Sequence, residues 1–135
     1  MKYDIYNCKL INLDKIGDRK GHISVLSNLK HVPFSVKRIF YLYDIPCGES
    51  RGAHAHKECH QFLVCVSGYF EVLLDDGINT QKIILNMPNF GLHIPPGIWA
   101  SENNFSSGSV CLVFASHEYD EDDYIRDYNN YLKWI

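Results

Sequence analysis

The strongest constraint on this chain is its punctuation. Turn signals divide it into short β-rich runs at intervals of roughly eight to twelve residues, the rhythm of an antiparallel barrel or sandwich. The turns are Gly17-Asp-Arg-Lys-Gly21, Pro46-Cys-Gly48, Ser67-Gly68, Asp75-Asp-Gly77, Met87-Pro-Asn-Phe-Gly91, Pro95-Pro-Gly97 and Ser106-Ser-Gly-Ser109. Residues 3–13 read as one or two edge strands, 22–26 as a strand, and 36–45, rich in aromatic and β-branched side chains, as the clearest strand. The runs 61–66, 69–74 and 80–85 follow, the last two joined as a hairpin by Asp-Asp-Gly. His93-Ile94 is a short strand, and the unbroken apolar run 110–115 predicts a strand buried on both faces.

The tail changes period. Tyr124, Ile125, Tyr128, Tyr131, Leu132 and Ile135 recur at three- and four-residue intervals, one face of a C-terminal helix packed on the sheet. Asp120-Glu-Asp-Asp123 then reads as its solvated start, where acidic side chains favour the positive end of the dipole. The expected architecture is all-β with a short terminal helix, in one domain over 1–135: this length, at 46% hydrophobic, holds one real core and not two.

Charge and composition narrow the partners. The 13 basic residues against 16 acidic, with no basic run, lack the footprint of a nucleic-acid binder. No apolar stretch has the roughly 18–20 residues of a membrane span, and the first residues carry no signal-peptide core, so a soluble, cytoplasmic protein is expected. Cysteines 8, 47, 59, 65 and 111 form an odd set without a Cys-x-x-Cys pair, expected as reduced and mostly buried thiols. No glycine loop of the dinucleotide type occurs, which argues against a nicotinamide enzyme.

The chemistry concentrates in Gly48-Glu-Ser-Arg51-Gly-Ala-His54-Ala-His56, which runs on to Gln61 and Gly68. On a strand, residues two apart share a face, so His54 and His56 place two imidazoles on one wall, about 6–7 Å apart by strand rise. This segment resembles the first motif of the cupins, with Gly48, His54, His56 and Gly68 in place and Gln61 where a glutamate ligand stands. Pro95, Gly97 and Asn104 match the second motif, with Ala100 where its histidine ligand stands and Asn89 for its leading glycine. The resemblance implies a cupin-type jelly roll that has lost two of four ligands to a divalent metal, since Gln61 is a poor donor and Ala100 none. His60 or His93 is the available replacement, although His60 is expected to face away from the pair.

A closer resemblance rests on Lys37–Asp44, Arg51-Gly-Ala-His-Ala-His56, Gln61–Gly68, Val72-Leu-Leu-Asp-Asp-Gly77 and Asp123-Tyr-Ile-Arg126. These blocks are similar to the nucleotide-sugar 3,4-ketoisomerases, the WxcM-like cupins. The family implies a dTDP-linked 4-keto-6-deoxyglucose as substrate, movement of the ketone from C4 to C3, no metal or other cofactor, and a homodimer with N-terminal strands, here within 1–13, exchanged. Its product is expected to enter 3-amino-3,6-dideoxy sugar synthesis for a surface glycan.

Under this reading His54 is the base for the C3 proton and His56 the partner that donates to the oxyanion or to C4, the order being a choice. Histidine titrates near neutral pH, which suits proton removal beside a carbonyl. Arg51 and Arg38 are candidates for the diphosphate, Arg38 equally for a surface salt bridge. Gln61 serves either sugar hydroxyls and an imidazole or packing alone. Trp99 either stacks on the thymine or sugar or plugs the core. Two alternatives remain at this stage: a metal-dependent cupin enzyme using His60 or His93, and a non-catalytic nucleotide-sugar-binding cupin.

Overall fold

A computed structural model describes residues 3–135. Its strands are β1 (Lys9–Asn12), β2 (Ile16–Asp18), β3 (Gly21–Ile23), β4 (Arg38–Leu42), β5 (Arg51–His56), β6 (Gln61–Ser67), β7 (Phe70–Asp75), β8 (Thr80–Leu85), β9 (Phe90–Ile94), β10 (Trp99–Asn103), β11 (Val110–Ala115) and β12 (Tyr124–Ile125), followed by helix α1 (Tyr128–Trp134). Two five-stranded antiparallel sheets, in the orders β1-β9-β6-β11-β4 and β12-β5-β10-β7-β8, form a jelly-roll sandwich, and β2–β3 is a separate hairpin.

The main core lies between the sheets. Leu63, Cys65, Leu92, Cys111 and Val113 of the first sheet meet Phe70, Val72, Leu74 and Ala100 of the second. Strand β6 is covered on both faces, because Phe62 and Val64 join Leu13, Val32 and Phe34 in a second cluster behind the sheet. That second layer explains why Phe62–Val66 is an unbroken apolar run. In β11 full burial alternates, with Cys111, Val113 and Ala115 buried and the residues between them partly covered. The β7–β8 hairpin follows the Asp-Asp-Gly signal: Asp75 Oδ1 accepts the Gly77 N–H, Asp76 Oδ1 accepts those of Ile78 and Asn79, and Gly77 holds φ +90°.

The N-terminal edge strand and the Gly17–Gly21 turn are present, and two boundaries change. Residues 3–13 form a 3₁₀ turn at Ile5–Asn7 and then β1, which pairs with β9 of the same chain. Residues 1 and 2, the start of the segment expected to exchange between subunits, lie outside the described residues. The Gly17–Gly21 turn is the tip of the β2–β3 hairpin. The strand expected at 22–26 stops at Ile23, and residues 99–103 form a strand the turn signals left unassigned.

The largest correction is the tail. Asp120 caps a 3₁₀ turn at Glu121–Asp123, the chain extends as β12 along the edge of β5, and the helix begins only after Asp127, whose carboxylate accepts the Asn130 N–H. Pairing Tyr124 with His56 and Ile125 with Ala55 satisfies an otherwise open sheet edge, which outweighs the helical period of the side chains. Helix α1 docks through the fully buried Tyr131, whose hydroxyl donates to the Gly97 carbonyl at 2.7 Å. Among the described residues no helix is long and apolar enough to cross a membrane.

Candidate active site

Strand β5 is irregular where it matters. Ala100 of β10 faces His54 and Glu102 faces Arg51, so three steps on β5 span two on β10. The extra residue is accommodated at Gly52, with φ +74°, a β-bulge whose left-handed backbone glycine adopts without penalty. A regular strand would put Arg51 and His54 on opposite faces, since they are three apart. The bulge brings both onto the wall of a cavity of about 200 Å³ between the sheets.

That cavity is lined by Arg51, His54, Gln61, Ala100, Glu102, Tyr124 and Arg126, with Phe40, Leu42, Ile94 and Val113 as its apolar side. His54 is the histidine on the wall. His56 is buried behind it, their rings meeting edge to face at 4.9 Å between centroids, closer than strand rise alone implies. Tyr124 covers both rings, at 5.0 Å from His54 and 4.4 Å from His56.

Asp123 fixes His56. Its Oδ2 lies 2.8 Å from His56 Nδ1, while Oδ1 accepts the Glu58 N–H at 2.7 Å. With Nδ1–H donating to a carboxylate, Nε2 carries the lone pair, and that atom is buried without a protein partner. Burial draws the His56 pKa down, with Asp123 opposing. Burial, helped by His56 and Arg126, lowers His54 to about 4, so at neutral pH His54 is an uncharged imidazole able to accept a proton. On the neighbouring strand, burial raises the Glu102 carboxyl to about 7 against the pull of Arg51.

The other expected residues divide by position. Gln61, first in β6, is buried on the cavity wall. Arg51 is exposed at the cavity. Arg38, on β4 of the other sheet, is not among the residues lining the cavity: its guanidinium lies over Phe40 and Tyr119 and 3.5 Å from the Tyr124 hydroxyl, which accepts from it. Trp99 is not brought to the cavity: Ala100 and Glu102 point in, so their neighbour Trp99 points out, packing on Tyr128 and Tyr131 at 5.3 and 5.6 Å.

His60 and His93 do not join the pair. They stack on each other, with ring nitrogens 2.9 Å apart, beside Phe34 on the far side of the first sheet. The third-ligand role considered for them therefore has no geometric basis in this chain. His56, Cys59 and Asp123 do bring three donor atoms within 4.8 Å of one another. Two of those donors are already matched to each other, and the Cys59 thiol donates to the His60 carbonyl at 3.3 Å. The five cysteines are free thiols, and only Cys47 is exposed.

Sequence reasoning missed four residues here. Asp123 was expected in a solvated helix start, and Tyr124 in a packing stripe. Glu102 carried no signal beyond lying two positions past Ala100. Arg126 lies over the Tyr124 ring at 4.3 Å, held by Glu121 through a 2.6 Å Nε–Oε1 contact, and adds a second cation at the cavity.

A jelly roll with a histidine on its cavity wall, a second held by a carboxylate behind it, and cations at the rim has the form of a cupin-type enzyme. The likeness to known proteins is correspondingly close. The family model FdtA, WxcM-like, C-terminal, matches residues 6–135, and the chain belongs to that family. A TDP-4-oxo-6-deoxy-α-D-glucose 3,4-oxoisomerase from Aneurinibacillus thermoaerophilus is 46% identical over 127 residues, 94% of this chain and 91% of that protein. The crystal structure of a 3,4-ketoisomerase from Helicobacter canadensis superposes with a TM-score of 0.92 at 46% identity, covering 95% of this chain and 96% of the other. A mutant of the 3,4-ketoisomerase QdtA from Thermoanaerobacterium thermosaccharolyticum, in complex with TDP-4-keto-6-deoxyglucose, gives 0.92 at 37% identity, with 96% and 94% covered.

Proposed function

We propose that this chain is a sugar 3,4-ketoisomerase that converts dTDP-4-keto-6-deoxyglucose to the 3-keto isomer, with His54 as the base. The observation that carries the reading is the neutral His54 on the wall of a cavity whose rim holds Arg51 and Arg126. The relatives' reaction and the substrate bound to the QdtA mutant support the choice of sugar.

The C4 carbonyl acidifies the hydrogen on C3. His54 removes it, the charge that develops on O4 as an enediolate is met by a proton to give the enediol, and the same imidazolium returns its proton to C4. Burial, which lowers the His54 pKa, makes the charged imidazole a short-lived state that gives its proton back readily. His56, held in one tautomer by Asp123, lies edge-on to His54 and positions it. Arg51 takes the diphosphate as a guanidinium fork; Arg38 supports the site through Tyr124. Gln61 offers an amide to the sugar hydroxyls. The route calls on no metal or redox cofactor. The working unit is a homodimer, a reading supported by the exposed outer stripe of Ile39, Tyr41 and Tyr43.

A proton NMR time course of dTDP-4-keto-6-deoxyglucose in deuterated buffer with a chelator tests this. Protein-dependent loss of the C3 proton with growth of a 3-keto product is expected. A spectrum unchanged from the protein-free control sinks the assignment.

A further inference from the structure

The isomerisation relocates two hydrogens, and His54 handles one. The second is a hydroxyl proton: O3 starts as a hydroxyl and must end as a carbonyl oxygen, while O4 does the reverse. His54 is occupied with the carbon-bound hydrogen, and His56 is buried behind the wall with Nδ1 engaged by Asp123.

Glu102 stands where a second carrier is needed. It alternates with Ala100 on β10, and Ala100 faces His54, so its side chain enters the same cavity beside the base. Its carboxyl occupies the space left by Gly52: a Cβ at that residue would collide with Glu102 Oε2. The bulge that turns Arg51 and His54 inward thus also makes the slot for this carboxyl.

We infer that Glu102 is the proton relay between the two sugar oxygens, donating from one carboxyl oxygen to O4 while the other accepts from O3. The inference rests on the ketoisomerase reading. In the first step the C3–H bond breaks to His54, its electron pair becomes the C3=C4 bond, and the C4=O4 π pair takes the Glu102 proton. In the second the O3–H proton passes to the other Glu102 oxygen, its pair forms C3=O3, and the C3=C4 pair takes the proton from His54 at C4. Glu102 ends as the neutral acid and His54 as the neutral base, with no oxidant or reductant consumed. Burial keeps the carboxyl protonated up to about pH 7. The titratable and charged groups around it are Arg51 and His54 of β5, Cys111 of β11, and Tyr124 and Arg126 at β12. Arg51 lowers its pKa, and the Cys111 thiol is itself held neutral by burial.

The test is Glu102→Gln, read by turnover across pH and by calorimetric titration of TDP. The relay predicts a wild-type rate that falls above about pH 7, and for E102Q a TDP affinity within about threefold of wild type, turnover down about 100-fold or more, and loss of that alkaline limb. Glu102→Asp, which restores the acid on a shorter stem, should recover part of the rate and bring that limb back. A purely structural glutamate would move melting temperature and leave the limb where it is. Turnover of E102Q within about threefold of wild type overturns the inference. If E102Q does not fold, the wild type decides: a rate flat from about pH 5 to 9 overturns the relay as surely. A wild type inert toward the sugar defeats the ketoisomerase reading itself, whereas an active wild type with an equally active E102Q defeats only the relay.

Discussion

His56 Nδ1 and Asp123 Oδ2 lie 2.8 Å apart across 67 residues of chain, and this contact ties the tail to the site. It exists because β12 runs along the edge of β5, with Tyr124 opposite His56.

Asp123→Asn should reduce turnover by about 100-fold, because an amide can donate to Nδ1 and reverse the His56 tautomer. TDP binding should stay within about threefold, as Asp123 does not line the cavity. The backbone bond from Glu58 is retained through the amide oxygen only in one rotamer, so a stability loss of about 1 kcal/mol is also expected. Steady-state kinetics beside titration of TDP checks the split; an unchanged turnover number would remove Asp123 from the mechanism.

Acid should destabilise the protein before its carboxylates titrate. Burial lowers His54 and His93 to about 4 and lowers His56 and His60 as well. The unfolded chain binds protons at these imidazoles below about pH 6.5; in the folded chain His54 and His93 resist until near pH 4, and His56 and His60 are drawn down in the same direction. Their contribution is therefore complete above pH 6.5 and lost as pH falls through that window. Glu102 runs the other way, since the folded state holds its proton to about pH 7 and stability drops as pH rises toward it. Four histidines against one glutamate leave acid as the damaging direction. The urea midpoint should fall between about pH 7 and 5, and His93→Gln should flatten that fall.

The fold was legible because turn chemistry is local. Asp75-Asp-Gly77 names a hairpin whatever surrounds it, and its Asx bonds form within five residues. His54 and His56 were legible for the same reason, since strand period needs only neighbours. Asp123 was not, because its role depends on a strand pairing from the far end of the chain. Trp99 was misplaced because no strand was read at 99–103, which left its parity undefined. Arg51 reached the cavity wall only through the bulge, and Gly52 was the single local sign of it.

Gly52→Ala tests that bulge. The new Cβ meets the Glu102 carboxyl, and an alanine at φ +74° costs about 1–2 kcal/mol. We expect a melting temperature several degrees lower, on the order of 3–4 °C per kcal/mol for a domain of this size. Turnover should fall by more than TDP affinity, since His54 and Glu102 are displaced together. An active variant with wild-type kinetics would mean that neither the slot nor the bulge governs the site.

The two rim arginines should not be equivalent. Arg126 already spends its fork on Glu121, with Nε–Oε1 at 2.6 Å and Nη2–Oε2 at 2.9 Å, and its charge lies over Tyr124. That exposed pair contributes little to stability, yet it leaves Arg126 less free to meet a phosphate. Arg51 is exposed at the cavity rim on the residue before the bulge, and Glu102, the carboxyl beside it, is held neutral up to about pH 7. A charged hydrogen bond is worth about 1.5–3 kcal/mol. Arg51→Ala should therefore weaken TDP binding by about 10- to 100-fold with little change in turnover at saturation. Arg126→Ala should change TDP affinity by no more than a few-fold. Its main effect should be on turnover, because Tyr124 loses the cation that packs it against His54 and His56. Paired calorimetric titrations of TDP at two salt concentrations decide it. A steeper salt dependence for wild type than for R51A is expected, and equal losses in R51A and R126A would show that the diphosphate bridges both.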